Sequence, residues 1–233
     1  MVVSPLRAER VRQASRARRD KQKADLRDII LAAARAVFDE QGYEGFSLRQ
    51  VAERIGYSAT TIYLYYADKD ALLSAILDEG FEQFLAVLQV AADAEPDPLA
   101  RLAALGRAYV EFGLDHSIHY RLMFMQRSDL LLHINENCPV PRIASFQVLE
   151  DAVKSALEAG ALRPGDPLAY ARSVWALVHG ITALTISMPT VGGREVARQT
   201  LDFAFGLLHH GMTTSPPATR EPTMPLTQEG ART

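Results

Sequence analysis

Apolar residues recur every three or four positions through most of this chain, and nowhere do apolar and polar residues alternate long enough to make a strand. That period commits the chain to helices. Its 233 residues, 48% of them hydrophobic, can bury a sizeable core, and the length suits a small unit followed by a larger helical domain.

The first apolar stripe is Leu26, Ile29, Ile30, Ala33, Ala34, Val37 and Phe38, and it ends at Gly42, a residue suited to a left-handed helix terminus. Ser47 opens a second helix as a capping box, its hydroxyl accepting from the Gln50 backbone N–H while the Gln50 side chain reaches back. Val51, Ala52 and Ile55 face inward, and Gly56 stops that helix. Ser58 caps a third, short helix from Ala59 to Tyr66, and Asp68 caps a long fourth from Lys69 to about Ala92. Its stripe is Leu72, Leu73, Ile76, Leu77, Phe81, Phe84, Leu85 and Leu88.

After the breaker at Pro96 and Pro98, further helices are expected near 98–114, 116–127, 142–160, 167–187 and 193–211. Between them stand Asn135–Pro141, Arg163–Pro167 and Met188–Gly193. The fold class is therefore all-α with about nine helices. Residues 213–233 are rich in Pro and Thr without apolar period and are expected to be a disordered tail. Residues 1–24 have no face to bury and are expected to stay flexible until bound. The division expected is thus an arm over 1–24, a small unit over 25–69, a larger helical domain over 70–212, and the tail.

The net charge of −3 is unevenly spread. Residues 1–27 carry nine basic side chains, among them Arg7, Arg10, Arg12, Arg16, Arg18, Arg19, Lys21 and Lys23, against three acidic ones. That leaves +6 on the arm and −9 on the rest, so a polyanion is expected at one end only. A single cysteine, Cys138, excludes an internal disulfide and fits a reducing cytosol. The N-terminus has no apolar signal-like core. The longest apolar run, Trp175–Met188, is interrupted by His179, Gly180, Thr182 and Thr185 and reads as a buried helix. A soluble, cytoplasmic protein is expected.

The second and third helices carry the functional signal. Two short helices joined by a three- to four-residue turn at Gly56-Tyr57 have helix-turn-helix geometry, in which the second helix enters the major groove of DNA. Its first turn, Ala59-Thr60-Thr61, is small and hydroxyl-bearing, so the backbone can approach base edges. Tyr63, Tyr65 and Tyr66 are many phenols for so short a helix, and phenols reach phosphate oxygens. Ile62 and Tyr66 are assigned to the core, sealing the third helix against the first. The basic arm can add salt-dependent affinity in a neighbouring minor groove, or simply be a solubilising tail.

The run from Gly56-Tyr57-Ser58-Ala59-Thr60-Thr61-Ile62-Tyr63 to Lys69-Asp70-Ala71-Leu72-Leu73, with Phe46-Ser47-Leu48-Arg49-Gln50-Val51-Ala52 before it, resembles the N-terminal domain of the TetR family of repressors. By that resemblance Ser47, Tyr63, Tyr65 and Lys69 grip the phosphate backbone and Arg49, Ala59, Thr60 and Thr61 face bases, with the capping Ser58 also counted in the DNA-binding surface. Tyr57, and Ala67-Asp68, depart from the family pattern without disturbing the turn. Further on, His116–Phe124 and Trp175–Ile181 resemble a TetR C-terminal subgroup named for its Trp-His-Gly signature. The resemblance implies an operator-binding homodimer that a small molecule releases.

Trp175 and His179, four apart on one helix, can share a pocket wall, with Tyr109, Phe112, Met123, Phe124 and Phe146 as further candidate ligand contacts or ordinary core. A mostly apolar pocket implies an apolar or aromatic effector. The last two long helices are apolar over wider faces than one intrachain contact needs, which points to dimerisation through them. His116, His119, His133, Cys138, His209 and His210 form no tight metal-ligand spacing, and neither metal nor cofactor is expected. No G-x-S-x-G, phosphate loop, H-E-x-x-H or dinucleotide glycine pattern occurs, so no enzyme is expected. The expected function is a ligand-responsive, DNA-binding repressor; the alternatives are an effector-less DNA-binding dimer, an activator or, more remotely, a helical enzyme.

Overall fold

The computed structural model describes residues 5–126 and 140–212, and among these lie nine α-helices and no strand. His133, Cys138, most of the Asn135–Pro141 breaker and the 213–233 tail fall outside the described residues.

Helix α1 spans Pro5–Gly45. The basic segment expected to be unstructured is therefore helical. Arg, Ala, Gln and Lys are strong helix formers, and a helix nucleated by the packed stripe downstream extends outward at one hydrogen bond per added residue. The stripe itself is narrower than its spacing suggests: Ile30, Ala33, Ala34, Val37 and Phe38 are buried, but Ile29 is 48% exposed. Gly42 breaks the helical geometry at φ 63° and ψ −172°, and one further turn leads to Gly45.

Helix α2 runs Leu48–Ile55 and is closed by Gly56 in the left-handed conformation, φ 71°. Helix α3 is Ala59–Tyr63, shorter than expected, because Leu64 and Tyr65 close tight turns onto the Thr61 and Ile62 carbonyls. It packs chiefly on α2 rather than α1. Its Ile62 is fully buried, and Tyr66 just beyond takes the Arg27 guanidinium of α1 over its ring at 5.2 Å.

Helix α4, Lys69–Asp93, starts on the Asp68 cap, whose carboxylate accepts from the Ala71 N–H at 2.7 Å. Next come α5 (Pro98–Asp115) and α6 (Ser117–Arg121), the latter continuing into a π-helical turn at Leu122–Gln126. The helix expected at 116–127 is thus split in character. After it stand α7 (Val140–Glu158), α8 (Pro167–Ser187), a 3₁₀ turn at Pro189–Val191, and α9 (Gly193–Met212).

One helix joins the two halves. α4 packs on α1 as well as on α5 and α7, and its Leu72, Leu73, Phe84 and Leu88 belong to one continuous core that runs through both units. α5 and α8 cross closely at Gly113, where an added Cβ would run into Thr182 of α8 and stand 2.9 Å from Tyr120 Cδ2.

Candidate nucleic-acid interface and cavity

Ser47 caps α2 with its hydroxyl, which accepts from the Gln50 N–H at 3.3 Å and donates to Gln50 Oε1 at 2.8 Å. The glutamine thus reaches back to the hydroxyl rather than to the backbone. Ser58 caps α3 likewise, accepting from the Thr61 N–H at 3.2 Å, with the two hydroxyls 2.9 Å apart. The turn is locked by these bonds, so the α3 N-terminus presents a fixed surface.

On that surface Arg49, Ser58, Thr60 and Tyr63 are exposed, while Ser47, Ala59, Thr61, Tyr65 and Lys69 are half-buried. Tyr63 is 57% exposed, a large ring held in water at the end of α3. Arg49 pairs with Glu53 one turn on, at 2.8 Å. Lys69 lies over the Tyr43 ring, 4.0 Å from its centroid, which fixes the ammonium at the start of α4. Tyr57 and Leu64 are also exposed on this unit, at 46% and 76%. Neither carries a sequence signal beyond the departure of Tyr57 from the family pattern.

The larger domain holds a cavity of about 690 Å³ between α4, α5, α7 and α8. Five of the seven residues named from sequence line it: Tyr109, Phe124, Phe146, Trp175 and His179. Phe112 and Met123 do not. Phe112 is buried between Phe84 and the stacked His116 ring, and Met123 is fully buried against Gly80, where α4 and α6 meet. Phe81, Phe84, Arg142 and Arg172 join the lining unforeseen. Arg172 stands one turn before Trp175 on the same helix, so helical spacing carried that signal.

At the inner end three polar side chains meet. Tyr120 Oη lies 2.7 Å from His179 Nδ1, and Tyr109 Oη lies 3.2 Å from Tyr120 Oη and 3.3 Å from the same nitrogen. Burial pushes the Tyr109 phenol well above its ordinary range and Tyr120 up to about 12, while it pulls the His179 imidazole down. Burial disfavours the charged form of each, so at neutral pH all three are uncharged. A neutral imidazole accepting at Nδ1 carries its proton on Nε2.

Among the described residues no group of three or more metal-ligating side chains comes together, and no helix is long and apolar enough to cross a membrane.

Residues 30–76 match the family model of bacterial regulatory proteins of the tetR family, and residues 102–206 match the tetracyclin repressor-like C-terminal domain. The chain belongs to the TetR family. Its C-terminal match does not carry the Trp-His-Gly description. Similar proteins include the transcriptional activator FasR of Mycolicibacterium smegmatis, 29% identical over 48% of this chain and 50% of the relative. The regulator RutR of Escherichia coli K12 is 33% identical over 42% of this chain and 45% of its own length. The chain thus spans about half the length of the curated relatives it matches. Among solved structures, a Rhodococcus sp. RHA1 protein of unknown function superposes with a TM-score of 0.65 at 29% identity, over 81% of this chain and 95% of that one. A tetR-family regulatory protein from Rhodococcus RHA1 superposes at 0.63 with 23% identity, over 78% and 95%. TetR-family proteins, FasR and RutR among them, are transcriptional regulators, and the family is not enzymatic.

Proposed function

We propose that this TetR-family chain is a cytoplasmic one-component repressor, which binds a palindromic operator as a homodimer and leaves it when a small apolar molecule fills the cavity between α4, α5, α7 and α8. One observation carries the ligand-responsive part: α4 begins at Lys69 on the DNA-facing unit and supplies Phe81, Phe84 and Leu88 to the cavity wall. Whatever fills the cavity presses on the helix that also positions the reading head. A displacement of α4 changes the separation of two recognition helices that must enter grooves about 34–36 Å apart. The coupling needed is about 1–3 kcal/mol per site.

The DNA contacts we assign are Ser47, Arg49, Ser58, Ala59, Thr60, Thr61, Tyr63, Tyr65 and Lys69, with the exposed Tyr63 the strongest candidate for a phosphate contact. Dimerisation through α8 and α9 is supported by Leu184, Phe203 and Leu207 on those helices and Met188 just past the end of α8, all at least half exposed. One five-residue helix reads too few bases for specificity, and a two-fold pair supplies the rest.

The test is fluorescence anisotropy with DNA from upstream of the protein's own gene, read with and without an apolar probe. Saturable binding that competitor DNA does not remove, and that the probe reverses, supports the reading. Binding that is specific but indifferent to every cavity probe would make the chain an effector-less dimer. A promoter that is silent without the protein would make it an activator.

A further inference from the structure

We propose that the effector is an elongated apolar molecule with an un-ionised carbonyl at one end, held by His179, and a carboxylate at the other, held by Arg172. This rests on the reading of the cavity as an effector site and adds the chemistry of its occupant.

The inner end defines the first requirement. With the Tyr120 proton assigned to His179 Nδ1, 2.7 Å away, and the Tyr109 proton to Tyr120 Oη, 3.2 Å away, the three groups satisfy one another in a chain. What the imidazole has left to offer is the Nε2–H, a single uncharged donor among aromatic walls: the Trp175 and Phe124 ring centroids are each 5.9 Å from the imidazole. A lone neutral donor in apolar surroundings suits a carbonyl oxygen. A carboxylate there would lose its hydration for one hydrogen bond, and a cation would find no anion.

The charged lining defines the second: Arg142, Glu150 and Arg172. Arg142 is bound to Asp78 at 2.6 Å, and Glu150 to Lys154 at 2.8 Å. Arg172 is exposed and has no ion pair among the described residues. Guanidinium and carboxylate match in planar, bidentate geometry, which makes an anion the natural occupant.

Arg172 and His179 are seven residues apart on α8, two helical turns, so the two groups they select are about 10 Å apart along the axis. The walls between are apolar: Val174 and Val178 from α8, Phe81 and Phe84 from α4, Phe146 from α7. Neither a short aromatic acid nor an uncharged hydrocarbon meets both ends.

Trp175, the sole tryptophan, lines the cavity and reports occupancy by its fluorescence. N-phenyl-1-naphthylamine, an uncharged apolar dye, is bound first. It is then competed with 9-oxodecanoic acid, decan-2-one, which lacks the carboxylate, and decanoic acid, which lacks the ketone. The oxo acid is expected to displace the dye about tenfold better than either. Arg172→Gln should erase its lead over decan-2-one and leave decan-2-one itself unchanged. His179→Phe should erase its lead over decanoic acid, and the decanoic acid comparison on the wild type reads the same contact without any substitution. If the dye binds but the oxo acid is no better than the other two, the assigned chemistry is wrong and the cavity reading stands. If neither dye nor acids enter and Trp175 fluorescence never changes, the cavity reading falls and this proposal with it.

Discussion

His119 Nε2 lies 3.9 Å from Glu79 Oε2, and Arg35 of α1 donates to that same carboxylate oxygen. Three helices therefore meet at one carboxylate: α6 from the larger domain, α4 between, and α1 from the DNA-facing unit. Arg121 of α6, paired to Asp39 of α1, makes a second link across the same boundary. Tyr120 and Phe124 belong to the same stretch of chain, so the cavity and this junction are adjacent. Replacing the carboxylate with an amide leaves the Arg35 guanidinium, about a quarter exposed, without a charge partner. Glu79→Gln should lower stability to urea by about 1 kcal/mol. It should also weaken the effect of a bound probe on DNA affinity while leaving probe affinity itself unchanged in the Trp175 titration.

Tyr63 and Ile62 are neighbours with opposite exposures, 57% and 0%. Tyr63→Ala should leave the unfolding free energy within about 0.5 kcal/mol of wild type yet cost about tenfold in operator affinity. Ile62→Ala should instead cost about 2–4 kcal/mol of stability, with DNA binding failing because the reading head no longer folds. Equal stability losses in the two variants would mean that Tyr63 packs rather than binds.

Acid should destabilise the fold below the ordinary histidine range. Burial lowers the His119 and His179 imidazoles, the first despite Glu79, with Arg35 and His116 opposing protonation too. The unfolded chain takes up protons at about pH 6.5, where the folded chain does not. The stability these groups allow is complete above that pH and is lost as pH falls from there through the lowered folded values. Urea midpoints measured between pH 7.5 and 5 should fall accordingly, and His119→Gln should flatten the profile.

The basic half of α1 stands in solvent, with Arg16, Arg18, Arg19, Lys21 and Lys23 all exposed. Removing residues 2–24 should make log affinity for DNA less steep in log salt, by about 0.9 for each phosphate that the arm neutralises. A slope that does not change would assign the arm to solubility alone.

Gly113 and Gly180 test packing and propensity separately. A Cβ at Gly113 meets Tyr120 and Thr182, while one at Gly180 meets nothing within 4 Å. Gly113→Ala should destabilise by about 1–3 kcal/mol. Gly180→Ala, in the interior of α8, should stabilise by about 0.5–1 kcal/mol.

The helices, their caps at Ser47, Ser58 and Asp68, and the helix-turn-helix were legible in the sequence, because capping and apolar period are local and act within four residues of one another. The helicity of the arm was not, for a related reason. Its missing apolar face says that nothing packs on it, but helix propagation from the stripe downstream needs no packing at each residue. The cavity was legible only in part. Trp175 and His179 follow from i, i+4 spacing, but whether Phe112 and Met123 face the hollow or the solid core depends on how α5 and α6 are rotated against α4. That rotation is set by contacts such as Gly80 against Met123, far apart in sequence. Local pattern thus placed the packed helices and the start of the reading head. Which aromatic rings surround empty space, and that Tyr109, Tyr120 and His179 come within hydrogen-bond distance of one another, follow from packing between helices distant in the chain.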